Sequence, residues 1–237
     1  MKPTSKKTTY HHGDLRSSLV ETGAEMIQEA GIEGLSLRKL AERIGVSRTA
    51  TYHHFNNKND LLCAIATLGF IQLQSVSNKV FDNKTLSGED TFRQFVFAYI
   101  QFATENASIY ELMFGKTIWK NNNSDQALRD IAYPSFDYQL EMTKTWQLQG
   151  LLIQDENSLR LAQVTWGTLH GIARLLIDGI YLDTSHIDEM CECVVKVFIQ
   201  QQKNNKGYIC LKITIKNQLN LMNSFQSITH LMLMQQS

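Results

Sequence analysis

The side chains best suited to chemistry lie in a seven-residue run, RTATYHH, at positions 48–54. Arginine, threonine, tyrosine and histidine can all donate hydrogen bonds, and such donors pair with DNA phosphates and base edges. A helix of about two turns fits the DNA major groove, so the run is a candidate recognition helix, with Arg48 and Thr49 at base edges. It is too short to be stable alone, and we expect Ala50, Tyr52 and Phe55 to hold it by packing.

An amphipathic helix precedes this run and would position it. Its apolar side chains are spaced three and four residues apart, as on one helix face: Leu37, Leu40, Ala41 and Ile44. Ser36 is suited to cap this helix and Ser47 the next one, and Gly45 can take the positive φ that ends a helix. The segment 36–55 is therefore predicted to be a helix-turn-helix. Any two short helices separated by a glycine would look similar, so the turn alone does not decide a DNA-binding role.

The segments before the motif complete an N-terminal unit that we place at 13–73. Residues 1–12 carry lysines and are predicted to form a flexible basic arm, which either lies along phosphates or only adds solubility. A first helix over 14–30 would end at Gly31. Residues 1–58 contain nine Lys or Arg and six Asp or Glu, a formal +3, in a chain whose 23 basic and 23 acidic residues balance. This charge distribution is compatible with nucleic acid but does not require it.

A long fourth helix is predicted after the motif. Asn57 and Asp60 have capping-box spacing, and Lys58 would lie in the first turn. A cation at a helix N-terminus is electrostatically unfavourable unless an anion such as phosphate lies close to it. The apolar stripe continues to Val80, farther than a three-helix unit needs. We expect this helix to join the N-terminal three-helix bundle to a larger helical domain over 86–203. The chain is thus predicted to be all-α, with about nine helices.

Aromatic and methionine side chains are concentrated on the helices of the second domain, where no cofactor motif accompanies them. Such side chains can form a plastic apolar cavity for a small molecule, although an ordinary aromatic core would give the same pattern. Pro134 is expected to break or start one of these helices. The candidate ligand-binding residues are Tyr99, Phe102, Tyr110, Met113, Phe114, Phe136, Met142, Trp146, Trp166 and His170.

The segment 157–180 carries apolar residues at strict three-four spacing, which predicts a helix that packs along another helix. A further helix over 186–203 follows, and two terminal amphipathic helices suit a two-fold, four-helix dimer interface. Residues 204–237 fit neither pattern and are expected to be a poorly ordered tail. The candidate interface residues are Leu159, Ala162, Trp166, Leu169, Ala173, Leu176, Met190, Val194 and Phe198.

Composition narrows the class of protein. With 237 residues and 43% hydrophobic content, the chain can bury a sizeable core and is neither fibrous nor disordered. No signal peptide or transmembrane span is recognisable, so we expect a cytoplasmic protein without a membrane partner and with reduced cysteines. Cys191 and Cys193, with His186 nearby, could suggest a metal site, but helix positions i and i+2 point to different sides. We expect no metal and no cofactor.

Taken together, these segments resemble the TetR family of bacterial transcriptional regulators. The resemblance covers the basic arm, Ala30-Gly31, Gly45-Val46-Ser47, Tyr52-x-His54-Phe55 and Asn57-Lys58-x-Asp60-Leu61-Leu62. The segments at 10–16 and 47–50, and Trp166-x-x-x-His170-Gly171, are similar to the subgroup with a so-called WHG C-terminal domain. That subgroup commonly has proline where this chain has Thr51 and arginine where it has His53, a departure that bears on the local phosphate contacts.

The resemblance implies a ligand-responsive, sequence-specific repressor that binds a double-stranded DNA operator as a homodimer. The cavity residues suggest an apolar or amphipathic effector. An enzyme on a helical scaffold is disfavoured, because G-x-S-x-G, H-E-x-x-H and a phosphate-binding glycine loop are absent. A small-molecule carrier that does not bind DNA stays open as the alternative. The expected DNA-binding residues are Ser36, Arg38, Ser47, Arg48, Thr49, Ala50, Tyr52, His53, His54 and Lys58.

Overall fold

The computed structural model describes residues 15–120 and 123–199, and all regular elements in these ranges are helical. The helices are α1 (Leu15–Gly34), α2 (Leu37–Ile44), α3 (Arg48–His54), α4 (Lys58–Asp82), α5 (Gly88–Glu105), α6 (Ala107–Phe114), α7 (Lys116–Trp119), α8 (Gln126–Leu148) and α9 (Ser158–Ile177). A further helix, α10, covers 187–199. The all-α prediction is confirmed, while the expected arm at 1–12 and tail at 204–237 lie outside the described residues.

The N-terminal helices form a small bundle on the first turns of α4. α1 packs against both α2 and α4, and α2 packs against α3. Leu19 and Ile27 of α1 and Leu40 of α2 are fully buried, together with Phe55 just after α3. Gly31 has φ 67° and ψ 177°, so regular α-helical geometry in α1 stops at the glycine where the sequence places the helix end. These apolar contacts hold two helices that are too short to be stable alone.

α4 connects this bundle to the rest of the chain. It packs against α1 near its start and against α5, α6 and α8. By length and composition α4 could cross a membrane, but half of its most apolar window is buried inside the protein, as in the core helix of a globular domain. Asn57 caps it by accepting from the Asp60 N–H at 3.0 Å, and the Asp60 carboxylate accepts from the Asn56 N–H at 3.1 Å. The reciprocal bond of the capping box thus falls one residue before the cap.

The second core lies among α5, α8, α9 and α10. Its centre is Trp146 of α8, which is almost fully buried and whose ring lies 4.9 Å from that of Phe92 and 5.7 Å from that of Phe95. Phe198 of α10 packs against Phe92 at 6.1 Å between ring centroids. Aromatic pairs at these separations stabilise a core beyond the area that they bury. α10 is thereby fixed to α5 in the same chain.

The expectation that Pro134 breaks or starts a helix is wrong. α8 runs continuously through this proline, although proline has no N–H to donate to the carbonyl four residues earlier. The packing of α4 and α9 on α8 keeps the segment helical. Next to the proline, the Ser135 hydroxyl donates to the Ile131 carbonyl at 2.9 Å. Tertiary contacts here override a local helix-breaking preference.

Candidate nucleic-acid interface and ligand cavity

Two serine caps and one glycine fix the geometry of the helix-turn-helix. The Ser36 hydroxyl accepts from the Lys39 N–H at 3.2 Å at the start of α2, and the Ser47 hydroxyl accepts from the Ala50 N–H at 3.1 Å at the start of α3. Gly45 ends α2 at φ 79°, a left-handed conformation that a residue with a Cβ adopts only at a cost. Its N–H reaches the Ala41 carbonyl at 3.0 Å. All three local predictions from the sequence are confirmed.

α3 turns most of its polar side chains to the outside. Arg48, Thr49, His53 and His54 are exposed, and the Tyr52 side chain is 54% exposed. A chain of exposed donors along one short helix is what base and phosphate contacts require. The candidate recognition surface is therefore available to a double helix.

The residue that anchors α3 is Thr51, and the assignment of this role to Tyr52 and Ala50 is wrong. Thr51 is fully buried, whereas Ala50 is only half-buried. Thr51 and Phe55 are four positions apart and so share one side of the helix, while Tyr52 is rotated by about 100° from Thr51. The Thr51 hydroxyl is buried without a hydrogen-bond partner among the described residues. It fills space in the core but leaves a polar group unsatisfied.

Several polar contacts secure the module to its scaffold. Arg43 of α2 binds the Glu29 carboxylate of α1 through two nitrogens, one at 2.7 Å, and this guanidinium lowers the pKa of Glu29. The pair is solvent-exposed, so its contribution to stability is modest. Lys58 is half-buried, and its ammonium donates to the Ile32 carbonyl at 2.7 Å. Ser36 and Arg38 lie half-buried and exposed, respectively, at the start of α2.

A small cavity of about 50 Å³ lies among α4, α5, α6, α8 and α9. Five of the residues predicted to bind a ligand line it: Tyr99, Phe114, Phe136, Met142 and Trp166. Nine lining residues were not anticipated: Phe70, Leu73, Gln74, Ser77, Phe95, Ala132, Ser135, Tyr138 and Gln139. Four of them lie on α4, and the signal that could have found these is the length of that helix, which extends past the N-terminal bundle into the second helical domain.

The other five predicted ligand residues lie off the cavity. Phe102, Tyr110, Met113 and Trp146 are buried among protein side chains, so they are core residues rather than cavity walls. His170 is half-buried behind the cavity wall. Apolar periodicity marks a residue as buried, but it does not show whether a void or another side chain lies beside it.

A chain of hydrogen bonds leads from the cavity wall to His170. The Trp166 indole N–H donates to the Tyr99 hydroxyl at 2.8 Å. The Tyr99 hydroxyl lies 2.8 Å from the Tyr110 hydroxyl, and the Tyr110 hydroxyl lies 2.7 Å from His170 Nδ1. Burial raises the pKa of both tyrosines and lowers the pKa of His170. Trp166 can only donate. The arrangement in which both tyrosine protons have an acceptor is the one in which Tyr99 donates to Tyr110, and Tyr110 donates to Nδ1 of a neutral His170.

The predicted dimer residues of α9 face the core of their own chain. Ala162, Leu169 and Ala173 are fully buried because α5 and α8 pack on this side of the helix, so they cannot contact a partner. Leu176 is buried as well, and the Trp166 indole is engaged by Tyr99. The interface assignment is therefore corrected for these five residues: the three-four seam is an intramolecular one.

A different face of α9 and α10 is open. Val164 is 59% exposed and Val197 is 50% exposed, and a Cβ added at Gly167 or Gly171 would have no neighbour within 4 Å. A groove of about 580 Å³ runs between these helices. Of the predicted interface residues, Met190, Val194 and Phe198 line this groove, while Leu159 is partly exposed at the start of α9.

The described residues offer no obvious metal site. Cys191 is buried and Cys193 is exposed, in line with the different directions expected of positions i and i+2. Over 15–120 and 123–199, no group of three or more His, Cys, Asp or Glu side chains is placed to hold an ion.

Comparisons with known proteins match both halves of the chain. Residues 19–65 match the model of bacterial regulatory proteins, tetR family, and residues 92–198 match the model of the tetracyclin repressor-like C-terminal domain. Over 51 residues the chain is 47% identical to the tetracycline repressor protein class C of Escherichia coli, a match that covers 22% of this chain and 23% of that repressor.

Solved structures share the fold over most of the chain. A protein with unknown function from Rhodococcus sp. RHA1 is 28% identical, with a TM-score of 0.72 over 82% of this chain and 98% of that one. The TetR family regulator PfmR of Thermus thermophilus is 20% identical, with a TM-score of 0.57 over 77% of this chain and 97% of that one. The latter likeness concerns the fold alone.

Proposed function

Because the chain belongs to the TetR family of bacterial regulators, we propose that it is a sequence-specific transcriptional repressor that a small apolar or amphipathic molecule releases from its DNA operator. The observation that carries this proposal is the exposed α3, capped at its N-terminus by Ser47, with its row of outward polar side chains. The segment that matches the curated tetracycline repressors covers only 23% of the length of the class C protein, so operator, effector and partner all belong to the proposal.

DNA binding would place α3 in the major groove. Arg48 and Thr49, in its first turn, read base edges. The side chains of Ser36, Arg38, Tyr52 and His54 contact the phosphate backbone and set the register. Ser47 and Ala50 at the start of α3 and His53 in its last turn lie beside them. The Lys58 ammonium is already held by the Ile32 carbonyl, so it contributes to a phosphate site from a fixed position.

Effector release would act through α4. Four α4 residues line the cavity: Phe70, Leu73, Gln74 and Ser77. The same helix begins at Lys58, three residues after the buried Phe55 that follows the recognition helix. A ligand that prefers one position of α4 therefore also selects the position of α3. A tenfold loss of DNA affinity needs about 1.4 kcal/mol of difference in ligand binding between the two states.

Dimerisation would use the open face of α9 and α10. Exposed valines beside glycines without neighbours allow two copies of α9 to approach closely across a two-fold axis. A dimer places two α3 helices on half-sites about 34 Å apart, one turn of DNA. A partner that covers Val164 and Val197 also removes exposed apolar surface from water.

Salt-dependent DNA binding tests the proposal against the alternative of a cytoplasmic small-molecule carrier. Fragments of the host genome that the protein retains are selected, and affinity is then measured at 50 and 200 mM salt. A regulator that makes six to ten phosphate contacts should lose about 10³- to 10⁵-fold in affinity over this range. Lys144→Ala, which removes an exposed charge of α8, should behave as wild type. Absence of DNA binding at both salt concentrations would leave only the carrier.

A further inference from the structure

Gln139 of α8 has a buried amide group with nothing to bind. The side chain lines the cavity and is 7% exposed. Its Nε2 atom is fully buried and has no hydrogen-bond partner among the described residues. Native proteins satisfy nearly all buried donors, so a buried donor at a cavity wall indicates that something outside the chain satisfies it.

The other glutamines near this place show the contrast. Gln147, two turns farther along α8, is also buried, and its Nε2 donates to the Ile153 carbonyl at 2.6 Å and the Glu156 carbonyl at 3.0 Å. Across the cavity, the Gln74 side-chain oxygen lies 3.3 Å from the Ser135 hydroxyl, as a second acceptor beside the nearer Ile131 carbonyl. The fold can therefore satisfy a glutamine within this core, and at Gln139 it leaves the donor free.

We propose that Gln139 Nε2 donates a hydrogen bond to a neutral acceptor on the effector, such as the carbonyl oxygen of a ketone, ester or amide. This inference rests on the proposed role of the cavity as the effector site and specifies the chemistry of the ligand. It adds a polar requirement to a cavity that is otherwise largely apolar.

The cavity selects against charged ligands. Among the described residues that line it, none is Asp, Glu, Lys or Arg. A carboxylate or ammonium bound here would lose its hydration without gaining an opposite charge, which is strongly unfavourable. A neutral carbonyl loses less hydration, and Gln139 replaces the bond that it loses.

The remaining walls favour a flat, unsaturated body. Phe136 and Trp166 approach at 5.5 Å between ring centroids, and Phe70 and Phe114 approach edge to face at 5.3 Å. Aromatic rings accept a further ring in such arrangements. The cavity of about 50 Å³ is far below the roughly 300 to 1,000 Å³ of usual ligand sites, so binding must widen it, and small probes are the suitable test.

Three probes of similar size separate the effects of a neutral acceptor, an apolar group and a negative charge: acetophenone, ethylbenzene and benzoate. Affinity for the full-length protein is measured by calorimetric titration, with quenching of tryptophan fluorescence as a second readout, because Trp166 lines the cavity. One hydrogen bond to an otherwise unsatisfied donor should make acetophenone bind roughly tenfold more tightly than ethylbenzene. Benzoate should bind more weakly than acetophenone, for lack of a cation.

Two substitutions assign the preference to one residue. Gln139→Leu keeps the approximate volume, removes the unsatisfied donor and should abolish the preference for acetophenone while ethylbenzene binds at least as tightly as before. Gln126→Leu, at an exposed position of the same helix outside the cavity lining, is the control and should retain the roughly tenfold preference. The melting temperature of Gln139→Leu should not fall, since no partner is lost, and this shows that the variant is folded.

The outcomes separate the two levels of the proposal. Equal binding of acetophenone and ethylbenzene to the wild type, or a preference that survives Gln139→Leu, overturns the role of Gln139 and leaves the effector site standing. Tighter binding of benzoate overturns the neutral class of ligand. Failure of all three probes to bind overturns both Gln139 and the cavity as a ligand site, whereas DNA binding is measured independently.

Discussion

Gly69 of α4 and Met113 of α6 are packed so closely that no side chain fits between them. A Cβ atom at Gly69 would lie 2.6 Å from the Met113 sulfur and 2.9 Å from Cγ2 of Ile109. Real Cβ atoms essentially never approach other atoms this closely. The glycine thus sets the distance between the helix that carries the N-terminal bundle and the helix that bears Phe114 of the cavity wall.

Gly69→Ala should therefore destabilise the protein despite the better helix propensity of alanine. Propensity favours alanine by about 1 kcal/mol, whereas overpacking in a core costs about 1–3 kcal/mol, so a net loss of about 1 kcal/mol is expected. Urea unfolding measures it. In a double-mutant cycle with Met113→Ala, the two losses should be less than additive, because truncation of the methionine makes room for the new methyl group. Full additivity would contradict the close contact.

Thr51 and Thr49 form a matched pair on the recognition helix. Thr51→Val replaces a buried hydroxyl that has no partner among the described residues with a methyl group of similar size. It should raise the free energy of unfolding by about 1 kcal/mol and leave DNA affinity unchanged. Thr49→Val, at an exposed position, should do the reverse and weaken operator binding without changing stability. A loss of stability in Thr51→Val would show that its hydroxyl is satisfied in solution.

Arg48 and Arg38 should affect DNA binding in different ways. Arg48→Ala should remove about 1–3 kcal/mol of discrimination at one base pair, since an arginine that pairs with guanine reads sequence. Arg38→Ala should weaken binding to all sequences equally and reduce the salt slope by about one phosphate contact. Binding to a panel of single-base operator variants distinguishes the two. If Arg48→Ala ranks the panel as the wild type does, the arginine contacts only the backbone.

The open face of α9 should control the oligomeric state. Val164→Glu places a charge at the centre of the proposed interface and should shift the protein from dimer to monomer in analytical ultracentrifugation. Leu148→Glu is the control, because Leu148 is 85% exposed at the end of α8 and lies outside the groove that runs between α9 and α10. A Val164→Glu protein that stays dimeric would place the interface elsewhere.

His170 should make stability depend on pH. Burial lowers its pKa from the ordinary value of 6.5, so as the pH falls below 6.5 the unfolded chain takes up a proton before the folded protein does. The contribution of His170 to the free energy of unfolding is fully present above pH 6.5. It is lost as the pH falls from that value through the lower pKa of the folded protein. Protonated Nδ1 would also face Tyr110 as a second donor. In urea unfolding, the free energy of unfolding should fall less between pH 7.5 and pH 5.5 for His170→Gln than for wild type. His186→Gln is the control for the removal of one histidine.

Local signals in the sequence were enough to locate the helix-turn-helix. Ser36, Ser47 and Asn57 cap the helices that they were expected to cap, and Gly45 ends α2. Each of these effects depends on bonds within one turn of the chain, so neighbouring residues determine it. The sequence did not identify Thr51 as the buried residue of α3, because a helix of two turns has too few residues to show a clear apolar face.

The cavity and the dimer face could not be obtained in this way. Ala162, Leu169 and Ala173 follow the spacing of a packed seam, but that spacing does not distinguish a partner helix of the same chain from one of a second copy. Gln139 shows no apolar pattern, and its unpaired amide appears only once every neighbour has a position. Long-range packing decides both features.

Pro134 also marks the turn at which α8 is easiest to bend. The residues that follow it on α8, from Ser135 to Met142, form one wall of the cavity, and proline leaves the preceding turn one backbone bond short. Helices bend most easily at such a point. If a guest larger than the resting void binds, we therefore expect α8 to bend at this turn, while the caps that hold α2 and α3 stay intact.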